Sequence, residues 1–142
     1  MDALYQQQIL ALAKSVRDSK AVAHPTHEAM VSNPTCGDRV HITLAADNQT
    51  IITAGAAVRG CALCEAGAGL LLDMAPGMAH HEAMALRAAF SAWLAGDDNA
   101  PIEARMQMFE PVRSIKGRHK CVTLAFDAAF KALDGKAGTT GS

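Results

Sequence analysis

Two neighbouring stretches alternate apolar and polar side chains with a period of two. In "RVHITLAA", residues 39–46, Val40, Ile42 and Leu44 share one side while Arg39, His41 and Thr43 take the other. In "TIITAGAAV", residues 50–58, Ile52, Ala54, Ala56 and Val58 form the apolar set, and Asp47-Asn48 lies between the two stretches. Alternation on both sides of turn residues predicts an antiparallel hairpin with one buried face. A buried face needs a cover, and the flanking segments have helical periodicity.

Residues 4–16 place Tyr5, Ile9, Leu12 and Val16 at spacings of three and four, which predicts an amphipathic helix. His24-Pro25-Thr26 marks a loop, with His24 and His27 as loop residues, and a short strand over 27–31 ends at Asn33-Pro34. "CALCEAGAGLLLDM" is apolar on nearly every side and predicts a buried helix that Pro76-Gly77 terminates. A helix over 79–94 offers Met84, Leu86, Phe90 and Trp93 to the core. Pro101 suits the first turn of a short helix running through Met106. "HKCVTLAFDAAFKAL" puts Val122, Ala125, Phe126, Ala129, Phe130 and Leu133 on one side of a last helix. The tail "DGKAGTTGS" has no core residues and reads as disordered. The order predicts an α+β domain: a small three-stranded antiparallel sheet with helices on one face. One domain spans 1–142, ordered over about 3–134.

The net charge of -1 argues against nucleic acid as a partner, and no apolar run approaches the roughly 20 residues that span a bilayer. The N-terminus lacks the basic start and apolar block of a secretory signal, which gives a cytoplasmic expectation. In a reducing compartment four cysteines read as metal ligands or reactive thiols before disulfides.

Cys36 stands in the turn "NPTCGDRV", before one strand of the hairpin, and Cys61 stands just after the other. The first strand leaves this edge and the second returns to it, so the two thiols share a sheet edge. Cys61 and Cys121 both begin helices, where free N–H groups and the positive dipole end favour a thiolate. Arg118 and Lys120 add positive charge beside Cys121. Three thiolates plus Asp38 make an S3O site, acceptable to zinc and to iron. Asp38 has a simpler role open to it, holding the turn through its own backbone.

"NPTCGD" (33–38), "RGCALCEAG" (59–67) and "GRHKCVTLAF" (117–126) resemble the three motifs of the U-type iron–sulfur cluster assembly scaffolds, the IscU and NifU N-terminal domain family. "LYQQQIL" resembles that family's N-terminal helix, so the likeness runs from about Leu4 to Leu133. The long interval between Cys61 and Cys121 is similar to the SufU branch, and "SIKGRHKC" stands where the IscU branch has Leu-Pro-Pro-Val-Lys. The resemblance implies an α+β scaffold fold and metal binding by Cys36, Asp38, Cys61 and Cys121. It implies zinc as the SufU-branch metal, and a pyridoxal-phosphate cysteine desulfurase as the persulfide donor. Arg118 matches a SufU-branch arginine, which implies anchoring the partner or steadying the Cys121 thiolate. Two departures stand out: "ALAKSVRDSK" replaces the family's Asp-His-Tyr-Lys-Asn-Pro stretch, and Cys64 is an extra thiol.

Cys64 falls one helical turn after Cys61 and has two roles open to it, core packing or approach to the site. His119 is a spare ligand candidate, and His80-His81 read as exposed surface. Three functions compete. The first is sulfur acceptance at the Cys3Asp zinc site, with Cys36 as acceptor and Cys121 as runner-up. The second is a scaffold that builds a labile [2Fe–2S] cluster for a downstream carrier or apo-protein. The third is a zinc-stabilised interaction module.

Overall fold

The computed structural model describes residues 3–34 and 37–134. Helix α1 (Ala3–Arg17) leads into strands β1 (His27–Asn33), β2 (Asp38–Asp47) and β3 (Thr50–Arg59). Helices α2 (Ala62–Met74) and α3 (His80–Leu94) follow, then 3₁₀ stretches Ala104–Ser114 and Lys116–Arg118, and α4 (His119–Asp134). The strands form one antiparallel sheet in the order β1-β2-β3. This is the expected α+β arrangement. The expectation for 135–142 lies outside the described residues.

Val40, Ile42 and Leu44 are fully buried, as their alternation demands. Helix α4 packs on the inner face of β1 and β2 and against α2 and α3, with α1 over α2. Such a central position explains why α4 is buried well beyond one stripe: Leu124, Ala128 and Ala132 are buried along with Val122, Phe126 and Leu133. Phe90 of α3 meets Phe126 edge-on at 5.5 Å between ring centroids and Phe109 at 5.7 Å, joining α3, α4 and the long 3₁₀ stretch. Gly67 lets α2 come against α4, since a Cβ there would run into the Val122 carbonyl.

The alternation in β3 breaks where the sequence alone gives no warning. Ala45 pairs with Thr53 but Ala46 pairs with Ile51, so Ile52 is an extra residue in β3. The bulge turns Ile51 inward, at 1% exposure, and leaves Ile52 at 61% exposure, the reverse of the expected side. The hairpin loop is Asn48-Gln49, both at positive φ, the backbone twist of a type I′ turn.

Four other expectations change. Met84 is exposed, because Ala83, Ala89, Phe90 and Trp93 supply the buried side of α3. The segment after Pro101 forms a 3₁₀ helix over Ala104–Ser114, which starts later than Pro101 and runs well past Met106, with Pro111 inside it. His27 is a buried strand residue held by Thr26, whose Oγ1 lies 2.8 Å from Nδ1. Thr43 is buried although it faces outward, because the α1–β1 connection crosses over it and Val22 N–H donates to its hydroxyl.

The bulge makes a direct stability prediction. Ile51→Ala should cost about 2–5 kcal/mol by the usual cost of a core cavity. Ile52→Ala should stay within about 0.5 kcal/mol. Urea unfolding of both variants checks this, and equal losses would contradict the bulged register.

Candidate metal centre

Asp38 opens β2 and Arg59 closes β3, and Arg39 pairs with Arg59 in the register. The hairpin therefore delivers Asp38 and Cys61 to one sheet edge. Cys121 arrives from the first turn of α4, which the core seats against β1 and β2. A carboxylate oxygen of Asp38 and the sulfurs of Cys61 and Cys121 all lie within 4.8 Å of one another. Ligand atoms around a tetrahedral zinc stand roughly 3.5–3.8 Å apart, so a small contraction closes the set on an ion. Of the four residues expected to converge, these three do; Cys36 lies outside the described residues.

Each residue is held for a local reason. Cys61 is the N-cap of α2 with extended backbone, and its side chain makes no capping hydrogen bond, so the sulfur is not spent on the helix. Cys121 is fully buried. Asp38 is 3% exposed, and its Oδ2 is buried with no hydrogen-bond partner among the described residues. Burying such an oxygen is costly without a cation or donor. The orphaned carboxylate oxygen and the two sulfurs form a donor set that fits zinc or iron. Gly60 makes the approach possible: a Cβ there would sit 2.5 Å from Asp38 Oδ1.

The surrounding residues sort differently from the sequence expectation. Asn33, not foreseen as part of the site, is buried, pairs with Asp38 across the sheet, and points its amide at Cys121 Sγ, 4.0 Å away. The sequence ends a strand at Asn33 but gives no pairing between that strand and the hairpin, so nothing in it points to a place opposite Asp38. His119 is not a spare ligand. Its Nε2 donates to the Val112 and Arg113 carbonyls at 3.0 Å and ties α4 to the 3₁₀ stretch. Lys120 pairs with Asp127 at 3.3 Å, since adjacent helical residues point about 100 degrees apart. Arg118 is exposed at the last residue before α4. His80 is half-buried, stacked on Phe130 at 5.3 Å, while His81 is exposed as expected.

Cys64 is fully buried in the core cluster. Burial, reinforced by the charges of Asp38 and Cys61, pushes its thiol up to about 12. It therefore keeps its proton at neutral pH and behaves as a small apolar side chain.

A family model for the NifU-like N terminal domain matches residues 4–135. The chain belongs to this family, the U-type iron–sulfur cluster assembly scaffolds. It is 28% identical over 136 residues to the zinc-dependent sulfurtransferase SufU of Bacillus subtilis (strain 168), covering 94% of this chain and 91% of that protein. It is 31% identical over 106 residues to the iron–sulfur cluster assembly scaffold protein IscU of Streptococcus pyogenes serotype M1, covering 72% of this chain and 66% of that protein. The crystal structure of a NifU-like protein (N-terminal) from Brucella abortus superimposes with a TM-score of 0.81 at 29% identity, covering 92% of each chain. No helix among the described residues is long and apolar enough to cross a membrane.

Two outcomes test this geometry. Gly60→Ala should push the Asp38 carboxylate aside and weaken metal binding about 10–100-fold, the usual cost of disturbing a ligand's support, with the fold intact. Competition with a chromophoric chelator measures it, and unchanged affinity would remove Asp38 from the ligand set. Cys64 should resist iodoacetamide until the chain unfolds. An unfolded thiol ionises near pH 9 and the folded one at about 12. Folding therefore takes up a proton in that window, and this thiol's contribution to stability falls as pH rises through it. Rapid alkylation of Cys64 in the folded protein would contradict its burial.

Proposed function

We propose that the chain accepts persulfide sulfur from a pyridoxal-phosphate cysteine desulfurase at a metal site of Cys36, Asp38, Cys61 and Cys121. The observation that carries this is the convergence of Asp38, Cys61 and Cys121, with a buried carboxylate oxygen that lacks a partner. The zinc-dependent SufU relative supports zinc as the metal. Zinc, when bound, holds the thiols deprotonated and shielded from oxidation.

Cys36 is assigned the acceptor role because its sequence neighbours Pro34 and Gly37 predict a turn there rather than a helix. Its thiolate attacks the terminal sulfur of the donor's persulfide. A new Cys36 S–S bond forms as the donor's S–S bond breaks, and the bonding pair leaves on the donor's cysteine as a thiolate. The terminal sulfur moves with its proton, so no external oxidant or reductant is required. Cys61 and Cys121 begin helices and hold the site's geometry, Asp38 supplies the single oxygen ligand, and exposed Arg118 holds the partner or steadies the Cys121 thiolate. A downstream iron–sulfur carrier or apo-protein is the recipient of the pathway's product.

A second reading is a scaffold on which a labile [2Fe–2S] cluster is assembled; the IscU relative supports it. Anaerobic purification with metal analysis separates the two, zinc favouring transfer and iron with sulfide favouring assembly. Sulfide release by the desulfurase tests the mechanism. Cys36→Ser should return it to the basal rate, and Cys64→Ser should leave most of the stimulation. Mass spectrometry should find the trapped persulfide on Cys36. Finding it on Cys121 would move the acceptor role there. Full stimulation by a chain lacking both thiols would leave only the interaction module.

A further inference from the structure

The outer face of the sheet is half covered by the chain itself. The α1–β1 connection seals the far half: Val22 N–H donates to Thr43 Oγ1, and Ser19 Oγ accepts from Ala56 N–H. The half nearest the metal centre is open. It forms a groove of about 300 Å³ lined by Met30, Arg39, His41, Ala57, Val58 and Arg59. Met30 is 43% exposed there.

Arg39 and Arg59 face each other directly across β2 and β3. Opposed residues on one face have Cβ atoms about 5 Å apart, and like charges in that position are destabilising. Neither arginine has a carboxylate partner among the described residues, whereas Arg17, Arg87, Arg105 and Arg113 each have one. Glu28, on the neighbouring strand, is engaged by His41 at 3.2 Å. A chain of net charge -1 has no general excess of cations to explain the pair. Asp38 directly precedes Arg39, and Gly60-Cys61 directly follow Arg59, so the pair borders the metal centre on both strands.

We propose that this half-face docks an acidic, extended segment of a partner protein. Two unpaired guanidinium groups match carboxylates, which arginine binds through paired N–H donors. The apolar surface of Met30 and Ala57 suits a peptide that alternates acidic and apolar side chains, and it gives nothing to a phosphate backbone. The position brings such a partner to the rim of the thiol site. Docking at this face does not depend on the sulfur-transfer reading.

The probe is a short fluorescein-labelled peptide of alternating glutamate and leucine, read by anisotropy against the intact protein. Binding should weaken severalfold between about 0.05 and 0.3 M salt as the charges are screened. It should weaken at least tenfold in the Arg39→Glu/Arg59→Glu variant and when glutamine replaces glutamate in the peptide. The milder Arg39→Gln/Arg59→Gln variant should lose binding too, with unchanged circular dichroism, unchanged metal content and a Tm no lower than the parent. Absence of peptide binding, or equal binding by the Gln variant, would overturn the proposal. Stronger competition by inorganic phosphate or a single-stranded oligonucleotide would overturn the protein partner in favour of a polyanion site.

Discussion

A carboxylate sits almost sealed from solvent at the edge of a three-stranded sheet, and one of its oxygens has no partner among the described residues. An arrangement of that kind is expensive in a core unless a cation completes it. Much of the fold around Asp38 reads as support for this one position. The β2–β3 register brings the strand ends together, Gly60 withholds a side chain that would collide with the carboxylate, and α4 brings a buried sulfur from a remote part of the chain. The core secures α4 through Phe126 and its aromatic neighbours, so packing remote from the site sets where Cys121 stands.

The same arrangement suits chemistry that must both hold and release a sulfur. Thiolates bind zinc or iron firmly, whereas a lone carboxylate is a harder and less committed ligand. Cys61 caps α2 and Cys121 lies in the first turn of α4, so two helix starts deliver the sulfurs. Cys64, only one turn from Cys61, is placed otherwise: buried among core residues, it keeps its proton and lies outside the ligand group. Two cysteines so close in sequence thus differ in chemistry because one caps a helix at the surface of the core and the other faces into it.

Much of this was legible in the chain, and the exceptions have physical causes. Val40, Ile42 and Leu44 announce the buried face because a strand's period of two admits few alternatives. Ile52 misleads because a bulge inserts one residue and reverses the side that follows, and nothing in "TIITAG" distinguishes Ile51 from Ile52. Met84 misleads because small alanines fill the buried side of α3, so size is no guide there. Asp38, Cys61 and Cys121 were found through the hairpin's return to its own edge and through family motifs. Asn33 and Gly60 were not found, since their roles depend on distances to Cys121 and Asp38 that no pattern encodes. Thr43 and His27 became buried through the α1–β1 connection and local pairing, which polar composition hides.

At the proposed site one carboxylate and the thiols share a single ion. X-ray absorption at the metal edge of the protein as purified reads that coordination shell. Zinc with three sulfurs at about 2.3 Å and one oxygen at about 2.0–2.2 Å is the expected shell. The oxygen should vanish from the shell in Asp38→Ala. A shell of oxygen and nitrogen alone, or a wild-type shell that Asp38→Ala leaves unaltered, would contradict this coordination.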